Sequence, residues 1–175
     1  KMFQNQSVYD FSCPLVIGDA AFLNEVASKL ASSVSITPIS SPEKASFIPG
    51  SIDVLDLKNI SATINVGQPN SLGGQVSVEY IRVAVDLALK HKVEAIVTAP
   101  INKKSIHLAG FKWPGHTEML ADFTDTTEVA LMLTGDALRV VIVTTHIPLN
   151  QVGQSITHQQ ITTTIRLTHQ WLLKH

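Results

Sequence analysis

Disulfides have no place in this chain, because Cys13 is its only cysteine, and a zinc site built from several thiolates is excluded with them. Such cysteine usage fits a reducing compartment, so a cytoplasmic location is expected. Long apolar runs are missing too. None approaches the roughly 18 residues a membrane span needs, and the opening KMFQNQSVYD lacks a basic-then-apolar signal pattern, so no membrane partner is expected. Charge of one sign is also lacking. The 13 basic and 14 acidic side chains leave a formal net charge of -1, which gives no field to attract nucleic acid. Charged residues are 15% of the chain, against about 25% in an average soluble domain, while apolar residues reach 45%. A surface so poor in charge predicts cover by a second domain or a second subunit.

Motifs of metal and nucleotide sites are scarce as well. The seven histidines, at 91, 107, 116, 146, 158, 169 and 175, form no HxxxH pair and no HExxH. Residues 67–74 are glycine-rich ahead of a helix, but they lack both GxGxxG and the GK[ST] ending of a P-loop. No internal repeat or low-complexity segment is present. At 175 residues one domain with a real core is expected.

What is present alternates between strand and helix patterns. Residues 15–18 read as a buried strand, Asp19 as a helix cap, residues 20–31 as a helix and 34–39 as the next strand. Residues 52–57 alternate as a half-exposed strand does, and 60–66 repeat that weakly. Val76, Tyr80, Val83, Ala84, Leu87 and Ala88 lie on one helical stripe within 75–91. Residues 95–98 read as a buried strand, 103–108 as one or two helical turns and 119–123 as a short helix. Strands at 129–133 and 138–145 flank Gly135-Asp136, a hairpin turn signal. Thr157 and Gln160 form a capping box for a last helix, and residues 1–12 read as an irregular lead-in. These β-to-α steps predict an α/β fold.

The polar chemistry concentrates at 98–118 and just after 140–145. Pro100 must stop a central strand, Lys103 and Lys104 follow, and the Pro114-Gly115 turn presents His116, Thr117 and Glu118 together. His116 and Thr117 suit a phosphorylated or hydroxylated ligand; equally, they read as a helix N-terminus in which Thr117 caps and Glu118 favours the dipole. The two lysines read as phosphate contacts or as solvated charge. His146 ends a β-branched run, where open α/β sheets bind ligands, or else it is a strand-end histidine bonded to backbone. Alone it makes no metal site, which takes three or four ligands.

The segments GQPNSLGGQVSVEYIRVAVDLAL, AIVTAPINKKSIHLAGFKWPGHTEMLADFT and LRVVIVTTHIPLNQV resemble the middle of the 4-hydroxythreonine-4-phosphate dehydrogenase family of pyridoxal phosphate biosynthesis. The resemblance runs from about Leu15 to the end, and GHTE and TTHIPL are its most specific parts. It implies a three-layer α/β/α fold like that of isocitrate and isopropylmalate dehydrogenases, incomplete in this chain, in a homodimer. It implies NAD-dependent oxidation of 4-phosphooxy-L-threonine at its 3-hydroxyl, then loss of carbon dioxide to give 3-amino-2-oxopropyl phosphate. His116 and Thr117 would contact substrate. His146 would be one of three histidines on a divalent metal (zinc, magnesium or cobalt) that acidifies the substrate hydroxyl. Lys103 matches a family lysine beside the site.

Departures from the family pattern carry expectations of their own. The family's opening strand-loop and its C-terminal part, with the other two metal histidines and most cofactor contacts, have no counterpart here, so residues 1–175 are expected to be a partial subunit without useful dehydrogenase activity alone. His107 replaces a usual asparagine, and Lys112-Trp113-Pro114 precedes an intact GHTE. Competing expectations are a dehydrogenase of 4-phospho-threonate or 4-phospho-erythronate, and a non-catalytic binding or dimerisation module. A phosphate acyltransferase-like protein is weaker, because it leaves TTHIPL unexplained.

Overall fold

The computed structural model describes residues 2–61 and 64–174. The chain divides into two compact units, Lys1–His116 and Thr117–His175.

In the first unit, β1 (Val16–Gly18), β2 (Ser35–Ile39) and β3 (Ser51–Asp56) form a parallel sheet in the order β1-β3-β2. Val16 pairs with Val54 on one side of β3, and Pro38 pairs with the same residue on the other. This central position explains why β3 departs from its expected half-exposed character. Asp53, Val54 and Leu55 are buried in succession, as in a parallel strand covered on both faces. The Asp53 carboxylate is 2% exposed and accepts from the Phe47 amide at 2.8 Å, the Ser46 amide at 3.1 Å and the Ser46 hydroxyl at 3.2 Å, so its charge is satisfied by a neighbouring loop.

The crossover between β1 and β2 is α2 (Ala20–Lys29), capped as expected by Asp19, whose Oδ1 accepts from the Phe22 amide at 2.9 Å. The lead-in is more ordered than its sequence suggests. It holds a 3-10 turn at Met2–Gln4 and a short helix α1 (Gln6–Tyr9), with the Tyr9 hydroxyl donating to the Ser51 carbonyl at 3.1 Å.

The longest helix, α3 (Ser71–Leu89), starts four residues ahead of the expected 75 because the Asn70 carboxamide oxygen accepts from the Gly73 amide at 2.6 Å. Its buried residues include Val76, Val78, Ile81 and Val85. It packs on α4 (Lys103–Leu108) so closely that a Cβ on Gly74 would lie 2.0 Å from the Ser105 carbonyl oxygen. Glycine is required there for approach.

Two expected strands are not formed. Residues 95–98 have no ladder partner among the described residues, and Val97 is 96% exposed. A buried strand needs neighbours on its edges and faces, and the apolar sequence alone does not supply them. Residues 60, 61 and 64–66 are irregular, while 62 and 63 of that expected strand lie outside the described residues.

The second unit contains the antiparallel hairpin β4 (Leu131–Thr134) and β5 (Arg139–Ile142), closed by the Gly135 amide donating to the Leu138 carbonyl at 2.9 Å. A short helix α6 (Val152–Ser155) leads to α7 (His158–Leu172), which carries the expected Thr157–Gln160 capping box. The hairpin faces α7, with the Arg139 guanidinium 5.7 Å from the Trp171 ring centroid. The short helix expected at 119–123 begins earlier, as α5 (His116–Phe123), and Met119 on it is wholly buried.

Candidate functional site

The route to His116 is fixed by local chemistry. Asn102 caps α4 by accepting from the Ser105 amide at 2.9 Å, and the buried Ser105 hydroxyl accepts from the Asn70 amide at 3.2 Å. Helix α4 ends in paired bonds, Gly110 amide to His107 carbonyl at 3.0 Å and Phe111 amide to Ile106 carbonyl at 3.1 Å, with Gly110 at φ 89. That pattern is a Schellman ending, and the left-handed residue it requires is the glycine present. Phe111 and Trp113 then stack with ring centroids 5.2 Å apart, and the Pro114-Gly115 bend delivers the chain to α5.

His116 is half-buried as the first residue of α5, and its Nε2 is buried with no hydrogen-bond partner among the described residues. Leaving such an atom unpaired costs about 1–3 kcal/mol. Thr117 and Glu118 follow in the same turn, both exposed. Because the helix starts at His116, Thr117 lies within it and not at the cap.

His146 is placed differently from its sequence expectation. Strand β5 stops at Ile142, not at residue 145, and His146 stands in the following loop, exposed and with φ 58. Positive φ is uncommon for a residue with a side chain. The backbone hydrogen bond of a merely structural strand-end histidine is not formed among the described residues. No group of three His, Cys, Asp or Glu residues that could hold a metal exists among them either. These residues alone do not fit a metal centre, and His146 is a single candidate ligand.

Other candidates resolve into structure. Lys103 and Lys104 open α4 and are both exposed. In the glycine-rich segment, Gly73 gives its amide to the Asn70 side chain and Gly74 lies against α4. A polar network not anticipated from sequence joins α3 to the strand ends. The Tyr80 hydroxyl donates to Asn59 Oδ1 at 2.8 Å, and Asn59 Nδ2 donates to Glu79 at 2.8 Å. Burial, followed by the nearby charges of Asp19, Glu79 and Asp56, pushes the Tyr80 phenol above its ordinary range. Asp19 also accepts from the Ile60 amide at 3.1 Å and Asp56 from the Ala20 amide at 3.0 Å, so both carboxylates are engaged in holding backbone. Tyr80 sits on the expected helical stripe, and nothing in that pattern foretells its polar partners.

A family model, Pyridoxal phosphate biosynthetic protein PdxA, matches residues 10–175. The chain belongs to the PdxA family. It is 38% identical over 166 residues to a 4-hydroxythreonine-4-phosphate dehydrogenase of Desulforapulum autotrophicum, covering 94% of this chain and 49% of that protein. It is 42% identical over 173 residues to a D-threonate 4-phosphate dehydrogenase of Cupriavidus necator, covering 98% and 52%. The crystal structure of a 4-hydroxythreonine-4-phosphate dehydrogenase from Burkholderia phymatum superposes with a TM-score of 0.91 at 38% identity, over 99% of this chain and 52% of that one. The chain thus spans about half the length of the PdxA relatives it matches. GHTE and TTHIPL lie within the matched residues.

Proposed function

We propose that the chain forms the substrate-side part of an NAD-dependent dehydrogenase. That enzyme oxidises the 3-hydroxyl of 4-phosphooxy-L-threonine and releases carbon dioxide and 3-amino-2-oxopropyl phosphate. The observation that carries this reading is the match of residues 10–175 to the PdxA family, with His116 and Thr117 of an intact GHTE inside it. The half-buried His116 imidazole and the exposed Thr117 hydroxyl one residue on each offer a hydrogen bond to a phosphate or hydroxyl oxygen. His146 supplies one ligand to a divalent metal (zinc, magnesium or cobalt), whose other ligands come from outside the described residues. NAD is the hydride acceptor. The complete molecule is a cytoplasmic homodimer with a three-layer α/β/α fold, consistent with the low charge content of this chain.

Isothermal titration of 4-phosphooxy-L-threonine into the full translated product of the gene tests the assignment. A hydrogen bond to a charged oxygen contributes about 1.5–3 kcal/mol, so His116→Ala should weaken binding by about 10- to 150-fold. An unchanged Kd would remove His116 from the substrate site.

A second substrate is favoured by a specific observation, the 42% identity to the D-threonate 4-phosphate dehydrogenase of Cupriavidus necator. The two substrates differ at C2, where an ammonium is replaced by a hydroxyl. A site built for the cation would leave a charged or polar group unpaired with the threonate, and the converse holds for a site built for the hydroxyl.

A further inference from the structure

The chain reaches His116 through residues 111–115, which belong to no helix or strand. Their start is fixed by the Schellman ending of α4, where Gly110 sits at φ 89 and the Phe111 amide donates to the Ile106 carbonyl at 3.1 Å. Their far end is restricted by Pro114, which locks its own φ and biases Trp113 toward extended backbone. Between these points Phe111, Lys112, Trp113 and Pro114 alternate half-buried, exposed, half-buried, exposed, as an extended segment with an inner and an outer face does. The inner face is a ring pair. Phe111 and Trp113 stack with centroids 5.2 Å apart and planes 19° from parallel.

We propose that this stack positions His116, and that Trp113 is a positioning residue for recognition of the phosphorylated substrate. The restrictions at Gly110 and Pro114 leave the segment free to turn about its own axis, which would bring residues 111 and 113 outward and 112 inward. Such a turn carries the chain into His116 from another direction and displaces the imidazole. The stack opposes it, because a ring turned outward loses both its partner and its cover. Lys112 adds to the bias, since its ammonium stays in water only in the observed orientation. This role rests on the reading of His116 as a substrate contact and gives a cause for the placement of its imidazole. Trp113 itself needs no contact with substrate.

Titration calorimetry of 4-phosphooxy-L-threonine with variants of the full translated product of the gene tests it. Trp113→Leu keeps an apolar side chain and removes the stack, so Kd should rise about 3- to 10-fold, the span expected from losing one aromatic pair. Trp113→Phe restores a ring and should bring Kd back to within about twofold of wild type. In a His116→Ala background Trp113→Leu should have no further effect, because nothing is left to position. Equal weakening in both backgrounds overturns the proposal, since Trp113 would then act on the substrate or the fold and not through His116. No change on Trp113→Leu, with His116→Ala still weakening binding, overturns it and leaves the substrate reading standing. No change on His116→Ala removes that reading and the proposal with it. Phe111→Leu breaks the same stack from the other ring and should reproduce the Trp113→Leu pattern, which keeps the test available if a Trp113 variant does not fold; wild-type binding by Phe111→Leu overturns the proposal.

Discussion

Replacing Gly74 by alanine should separate the two helices that lead to the candidate site. The new Cβ would lie 2.0 Å from the Ser105 carbonyl oxygen, 2.3 Å from its carbonyl carbon and 2.8 Å from the Ile106 nitrogen. All three are backbone atoms, so no rotamer change relieves the clash, and α4 must retreat from α3 by more than 1 Å on the order of van der Waals contact distances. Overpacking of this kind costs about 3 kcal/mol at the upper end of its range. The Asn70 amide to Ser105 hydroxyl bond, 3.2 Å long, is strained or lost with it, adding about 1 kcal/mol. Against this, alanine gains about 1 kcal/mol in helix propensity. The net loss is about 3 kcal/mol, equivalent to a fall in Tm of roughly 6–12 °C for a chain of this size. Thermal unfolding followed by circular dichroism measures it, with Gly153→Ala as control. Gly153 lies in α6, and nothing stands within 4 Å of the point its Cβ would occupy, so the same substitution there should be neutral or mildly stabilising. If Gly74→Ala matched that control, the close α3–α4 approach would be wrong.

Asp53→Ala removes the acceptor for two loop amides and the Ser46 hydroxyl; a loss of about 2–4 kcal/mol is expected in urea unfolding, and a change under about 0.5 kcal/mol would contradict the role given to this buried carboxylate. Tyr80 supplies an alkaline prediction. Its phenol is raised in the folded state by burial and by neighbouring carboxylates, while the unfolded chain ionises near pH 10. The unfolded state therefore sheds its proton first. The contribution is complete below about pH 10 and is lost as pH rises further, and Tyr80→Phe should flatten that decline; a wild-type stability that rises above pH 10 would reverse the sign of the argument.

Local chemistry made much of the fold legible. Asp19 as a cap, the Thr157–Gln160 box and the Gly135 hairpin depend on residues within a few positions of one another, and each forms as its sequence suggests. Non-local placement was not legible. Residues 51–56 alternate like a half-exposed strand, but pairing on both sides puts them at the centre, and Asp53 is buried because loop residues 46 and 47 come back to satisfy it. Residues 95–98 have the composition of a core strand and lack the neighbours that would make one. At the candidate site, residue types singled out His116 and Thr117, whereas the burial of Nε2 is tertiary and visible only in the folded unit. His146 was legible as a residue of interest. Its left-handed backbone and exposure were not, since the strand was expected to reach Thr145.

We propose that this chain belongs to an enzyme that dehydrogenates a small phosphorylated hydroxy acid. Its most direct test is NADH formation by the full translated product of the gene, supplied with a divalent metal and given 4-phosphooxy-L-threonine or D-threonate 4-phosphate in parallel. The account predicts turnover with 4-phosphooxy-L-threonine at the higher kcat/KM and carbon dioxide released in step with NADH. NADH formed only from D-threonate 4-phosphate would transfer the assignment to the second substrate, and none from either would contradict the account.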